Sequence, residues 1–293
     1  MAEAQDPRGE RLKRIVQRVE GLPTLPPVLG KMNQMMLDPK TTAKDVANLI
    51  ASDPAVTARI LKVVNSAFYG FPSRISTITH AIVILGFNTV KSIILSSSVF
   101  DAFGGKGKGD PKFKREDFWR HSVACGAAAK VLARHTGEAA LEEFFIAGLL
   151  HDIGKIIEDH FLHPEYEKIR ADVEGRKVLY REAEEIVLGV THAEIGGWLF
   201  ESWKLNKSLV KAVTFHHNPA LADEHLKSAS IVHLGDIFAR SLMIGSGGDE
   251  QIPPISKAAW DALGLKIEML PGLLRDARLE FDRASVFLDF IKP

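Results

Sequence analysis

The sequence predicts an all-α protein made of two helical lobes. Three observations carry that prediction. Apolar residues recur at helical i, i+3 and i+4 spacing through most of the 293 residues, and no stretch sustains a period of two. Helix start and stop signals punctuate the chain, as at Thr42, Asp53-Pro54 and Gly21. One glycine-rich run, Gly104-Gly-Lys-Gly-Lys-Gly109, reads as a linker between two helical halves. The expected division is an N-terminal helical lobe over 1–105, a second lobe over 106–247 and a C-terminal helical extension over 248–293.

The elements follow in order. Leu12, Ile15, Val16 and Val19 give an apolar face to a helix over residues 8–20, whose arginines form a solvated face. Leu22-Pro-Thr-Leu-Pro-Pro27 is a rigid extended connector. Val28, Leu29, Met32, Met35 and Met36 mark a helix over 27–37, with the methionines as core filler. Thr42 caps a helix to Ala51, and Asp53-Pro54 starts the next, to Phe68. A run from Thr77 or Thr79 stops at Gly86, and Asn88 starts another that carries Val90, Ile93, Ile94, Val99 and Phe100. The second half predicts helices over 115–135, 139–161, 180–188, 193–203, 205–215 and 226–243. Gly245-Ser-Gly-Gly248 and Pro253-Pro254 make a break. A tail over 256–291 is helical, interrupted at Leu270-Pro271.

Composition narrows the function. Lys plus Arg and Asp plus Glu both total 37, so net charge points to neither nucleic acid nor an anionic membrane. The densest basic run after the glycine-rich linker, Lys112, Lys114, Arg115 and Arg120, is interrupted by Glu116 and Asp117 and reads as a solvated face. No apolar run reaches the roughly 18 residues of a membrane span, and no secretory signal is evident. A lone cysteine, Cys125, excludes an internal disulfide framework and fits a reducing, cytoplasmic setting. Neither Cys125 nor Ser96-Ser-Ser98 has the neighbours of an activated nucleophile. The glycine run lacks the Lys-Ser/Thr ending of a phosphate-binding loop.

Chemistry concentrates in Ala147-Gly-Leu-Leu-His151-Asp152-Ile-Gly-Lys155 and in histidines on the helices around it. His121 stands one helical turn after Asp117. His192 opens a helix, His216-His217 closes another, and Asp236 lies mid-helix among Leu234, Ile237 and Phe238. Any one of these is most simply a surface or core polar residue. Together they form a His/Asp set able to hold one or two divalent ions between helices. A carboxylate such as Asp236, if buried, needs a partner.

The second half resembles the HD superfamily of metal-dependent phosphohydrolases, with its H…HD…D signature. His192 and His216-His217 resemble the added ligands of the HD-GYP branch. Residues 15–245 as a whole resemble the HDOD family, HD-related output domains of bacterial signalling. The cues are Leu22-Pro-Thr-Leu-Pro-Pro27, Ile50-Ala-Ser-Asp-Pro-Ala55, Leu61-Lys-Val-Val-Asn-Ser-Ala-Phe-Tyr69 and Ile75-Ser-Thr-Ile-Thr-His-Ala-Ile-Val-Ile-Leu-Gly86. The resemblance implies an HDOD lobe packed on an HD-like lobe. It implies His121, His151, Asp152, His192, His216, His217 and Asp236 as ligands of Fe, Mn, Zn or Ni, with Asp117 as an extra ligand. Asp152 would bridge two ions, and Lys155 would stand over a substrate phosphate, as the catalytic pair. The expected function is regulation through binding, with a signalling protein as partner. The alternative is a phosphohydrolase acting on a nucleotide or cyclic dinucleotide. One departure bears on that ligand: Asn-Pro-Ala follows His216-His217, where the HD-GYP branch has Gly-Tyr-Pro.

Overall fold

The computed structural model describes residues 7–19, 27–103 and 114–290. The connector at 22–26, the glycine-rich run and the expected lobe boundary lie outside them. Among the described residues there are fifteen α-helices, a few 3-10 turns and no strand, which makes the protein all-α.

The first lobe holds α1 (Pro7–Arg18), α2 (Pro27–Met35), α3 (Ala43–Ala51), α4 (Pro54–Val64) and α5 (Ile78–Phe103). Local chemistry sets their ends. Thr42 and Asp45 form a reciprocal capping box on α3. Asp53 caps α4 through the amides of Ala55 and Val56, with Pro54 at the first helical position. Met32 is fully buried and joins the core, as its spacing predicts. At the end of α4, Asn65 bonds both the amide and the carbonyl of Ile75, which folds residues 65–75 into a fixed turn. Gly86 adopts φ 80°, breaking α5 into the two helices its sequence predicts. By length and composition α5 would cross a membrane, a possibility the sequence reading missed. In this fold half of its apolar window is buried against protein. Val83 and Ile84 remain exposed.

The second lobe is built around α6 (Arg115–His135), buried almost continuously from Phe118 to Ala133. α7 (Leu141–Leu150) packs backbone to backbone on it. A Cβ at Gly148 would lie 2.7 Å from the Cys125 carbonyl oxygen, a separation no side chain tolerates. α8 (Ile153–Phe161), α9 (His163–Arg176), α10 (Tyr180–Val187), α11 (His192–Ser202), α12 (Lys207–Thr214) and α13 (Leu226–Ser241) complete the lobe. Two features depart from the expected elements. The helix over 139–161 is broken at His151-Asp152, because Asp152 leaves helical backbone at φ −97°, ψ 9°. α9 was not anticipated: its charges spread evenly around the helix and hide its three buried anchors, Tyr166, Ile169 and Val173.

α14 (Lys257–Ala262) and α15 (Leu270–Ala284) form the C-terminal segment, and Leu270-Pro271 opens α15. This segment is part of the core. Phe287 packs on Phe68 of the first lobe and Phe145 of the second, at ring-centroid distances of 5.3 and 4.9 Å. Beside them the buried Lys130 ammonium lies 3.8 Å above the Phe68 ring and 3.0 Å from Glu280. Arg115 is not merely a solvated cation. It bonds the Phe103 carbonyl and Asp159, tying the end of α5 to α8.

Phe287→Ala is expected to cost about 3–5 kcal/mol of stability through the cavity it leaves. Leu279→Ala, on the exposed side of α15, is expected to stay within about 0.5 kcal/mol. Urea denaturation of both variants checks this; equal midpoints would show that Phe287 closes no core.

Candidate metal centre

Six helices deliver the His/Asp set to one place. α6 supplies His121, the break between α7 and α8 supplies His151 and Asp152, the start of α11 supplies His192, and α13 supplies Asp236. His216 and His217 follow the end of α12. Close helix packing makes this convergence possible: a Cβ at Gly154 would lie 2.1 Å from the His192 carbonyl oxygen. His121, His151, Asp152, His192, His216 and Asp236 are buried, and His217 is half-buried.

The break at Asp152 sets the geometry. One carboxylate oxygen lies 3.3 Å from His151 Nε2 and 3.7 Å from His121 Nε2. The other lies 2.9 Å from His192 Nε2. Asp236 Oδ1 lies 3.0 Å from His121 Nε2 and 3.8 Å from His151 Nε2. Two groups result, His121/His151/Asp152 and His192/His216/His217, and within each the ligand-type atoms lie within 4.8 Å of one another. Opposed ligands about 2.1 Å from one ion stand roughly 4.2 Å apart, so each group needs only slight contraction to enclose a metal.

Hydrogen bonding supports the same reading. His151 Nδ1 faces the Gly148 carbonyl at 2.7 Å, His216 Nδ1 faces the Val213 carbonyl at 2.7 Å, and His192 Nδ1 faces the Glu184 carboxylate at 2.7 Å. Nδ1–H donation there leaves the Nε2 lone pairs of His151 and His216 for a metal, while His192 Nε2 meets His217 Nε2 at 2.9 Å. His121 Nε2, His151 Nε2, His216 Nε2 and Asp152 Oδ1 are buried without a hydrogen-bond partner. Their neighbours are near, but the angles do not suit a hydrogen bond. Four such orphans in one place would be costly, and a shared cation resolves them together.

The electrostatics agree. Burial opposes ionisation of Asp152, but His151, Lys155 and His192 outweigh it and hold the carboxyl well below its usual range. Burial likewise opposes Asp236, and Arg240 with His121 holds it low. Burial and neighbouring imidazoles push His216 and His217 well below the usual histidine value, so both are neutral ligands. His151 goes the other way. Burial disfavours its charge, but the neighbouring Asp152 carboxylate outweighs burial and raises it well above the usual histidine value. Burial pushes the Cys125 thiol up, which removes it as a nucleophile. The hydroxyls of Ser96, Ser97 and Ser98 bond carbonyls of their own helix.

Two expected residues sit differently from the rest. Asp117 belongs to neither close group; its carbonyl accepts from the Ser246 amide at the rim of a cleft of about 360 Å³. Lys155 also borders that cleft, but its Nζ is buried in bonds to Asp152 Oδ2 at 2.7 Å and the Gly247 carbonyl at 2.6 Å. Several residues were not anticipated. Glu184 orients His192, Glu158 bonds Glu184, and the Tyr180 hydroxyl donates to Glu158. Burial pushes Glu158 up to about 7 against the opposing pull of Glu184, Tyr180 and Lys155, and burial with the charge of Glu158 pushes Glu184 up to about 8. Arg240 bonds Asp236. Among these, only Arg240 stands at helical spacing, i+4, from an expected ligand.

Comparison with known proteins matches this architecture. A family model described as HDOD domain aligns with residues 22–219. The chain belongs to the HDOD family. A crystal structure of an HDOD domain protein with unknown function from Geobacter sulfurreducens superposes with TM-score 0.79 at 25% identity, over 95% of this chain and 97% of that one. A protein from Shewanella amazonensis SB2B, named "Putative phosphohydrolase", superposes with TM-score 0.73 at 26% identity, over 95% of this chain and 98% of that one. An uncharacterized protein of Treponema pallidum (strain Nichols) is 28% identical over 241 residues, 82% of this HDOD chain. The chain spans 46% of that relative's length.

Glu184→Gln is expected to weaken divalent-metal affinity about 10–100-fold, because the neutral amide orients and polarises His192 less well. Competition titration with a chromogenic chelator reads this directly. Unchanged affinity would show that Glu184 supports the fold alone.

Proposed function

We propose that this HDOD protein is a signal-transduction component that acts mainly by binding, with one or two divalent ions held in its second lobe. The observation that carries this reading is the set of four buried, unpartnered ligand atoms around Asp152. They suit a cation, and they are buried, with Lys155 beside them bonded to the Gly247 carbonyl. His121, His151, Asp152 and Asp236 would hold one ion; His192, His216 and His217, with the other oxygen of Asp152, would hold a second. The mixed imidazole and carboxylate set favours Fe, Mn, Zn or Ni over Ca or Mg. Asp117 is a further ligand only if the first turn of α6 shifts inward. Contact with a signalling protein falls to the first lobe, where Val83 and Ile84 leave an apolar strip in water.

A second reading, a metal-dependent phosphohydrolase, is favoured by one observation. Asp152 turns one oxygen to each group, the arrangement that would bridge two ions. Bound metals would supply an activated water and charge neutralisation at a phosphoryl group. Lys155, bordering the cleft, would meet a phosphate oxygen once released from Gly247. The name given to the Shewanella amazonensis relative is in line with this reading.

Elemental mass spectrometry of the purified chain is expected to find bound transition metal, lost in Asp152→Ala. Absence of metal after anaerobic reconstitution with Fe or Mn would overturn both readings. Turnover of phosphodiester or nucleotide substrates by the metal-loaded chain, abolished in Asp152→Ala, would move the protein to the second.

A further inference from the structure

The cover over the metal centre is held by cations that also hold the metal-ligand carboxylates. Lys155 Nζ bonds Asp152 Oδ2 on one side and the Gly247 carbonyl on the other. Arg240 Nε bonds Asp236 Oδ1 at 2.9 Å, and its Nη1 bonds Asp249 Oδ1 at 2.8 Å and the Gln251 carbonyl at 2.9 Å. The second oxygen of Asp249 accepts the backbone amide of Tyr180, the first residue of α10, at 2.9 Å. The Asp249 side chain is 2% exposed. It thus sits as a buried anion in a built cradle: a guanidinium, a helix-opening amide and, close by, an ammonium.

The cradle adjoins the ligands. A residual gap of about 10 Å³ is bordered by Lys155, Arg181, Arg240, Asp249, His192 and His217. Arg240 pairs with Asp236 and Asp249, Lys155 pairs with Asp152, and Arg181 borders the gap. One or two dications would add two to four positive charges in excess of this pairing. A phosphoryl group answers that excess better than a single carboxylate does. The covering segment, residues 245–251, has no regular secondary structure of its own, Gly245 and Gly248 take positive φ, and polar bonds hold the segment down.

We infer that residues 245–251 imitate a phosphorylated ligand: the Asp249 carboxylate and Gly247 carbonyl occupy oxyanion positions that a phosphoryl group takes when it binds, expelling the segment. The site so assigned consists of Arg240, the Tyr180 amide and Lys155. The inference rests on the metal-binding reading for its charge excess, and its test is separable from that reading. The expelled segment opens the gap into the 360 Å³ cleft beyond Tyr180, which Lys155, Tyr180 and Asp249 border as well.

The test is calorimetric titration of the full chain with inorganic phosphate, with and without Mn²⁺, comparing wild type, Asp249→Ala and the milder Asp249→Asn. Removing the internal competitor is expected to tighten phosphate binding about tenfold or more, and adding Arg240→Gln is expected to cancel the gain. In the wild type, phosphate is expected to speed hydrogen exchange at the amides of 247–251. A gain in either metal condition upholds the site. No gain in both, with exchange at 247–251 unmoved by phosphate, overturns it. Parallel titration with ribonucleoside 5′-monophosphates separates the ligand sources: tighter binding than phosphate identifies a nucleotide, equal binding identifies free phosphate. The metal-binding reading fails separately, on elemental analysis.

Discussion

A carboxylate cannot be buried alone, and this chain buries Asp152 at the meeting point of its helices. Much of the second lobe answers that constraint. His151 and Lys155 neutralise the group from its own segment, while His121 and His192 reach it from α6 and α11. Asp236 poses the same problem one helix away, and Arg240 answers it from the next turn. The histidines then need orientation, which carbonyls of α7 and α12 and the Glu184 carboxylate provide. Polar groups at this density either satisfy one another or enclose an ion. The unpartnered Nε2 atoms are the ones that the proposed ion would satisfy.

Backbone proximity makes the arrangement possible. Gly148 lets α7 lie on α6, and Gly154 lets α8 meet the start of α11. Larger residues at either place would force apart the helices that carry His121, His151 and His192. Backbone geometry and electrostatics therefore depend on each other: the glycines admit the carboxylate-histidine cluster, and the cluster joins the helices across their polar seam.

Much of this was legible in the sequence, and the remainder was hidden for physical reasons. Thr42, Asp53-Pro54 and Gly86 act locally, so the ends they set could be read from neighbouring residues. The convergence of the His/Asp set was legible because histidines and aspartates recur on successive helices. The break at His151-Asp152 was hidden within an apolar run that favours helix on both sides. α9 was hidden because its charges surround its few anchors. Glu184 and Asp249 were hidden because their partners lie far along the chain, joined only by the tertiary fold. Gly245-Ser-Gly-Gly248 was legible as a break, but nothing local shows that it lies over the ligands.

The position of Phe287 bears on the order of events during synthesis. Its ring joins Phe68 and Phe145 in one aromatic cluster, yet it is made long after either. Until it emerges from the ribosome, that cluster lacks its third ring and the buried Lys130 lacks Glu280. The nascent lobes can meet early through α5, α7 and Arg115, but their aromatic contact is completed only when Phe287 arrives. Until then the chain carries an incomplete aromatic face that other nascent proteins or chaperones can engage.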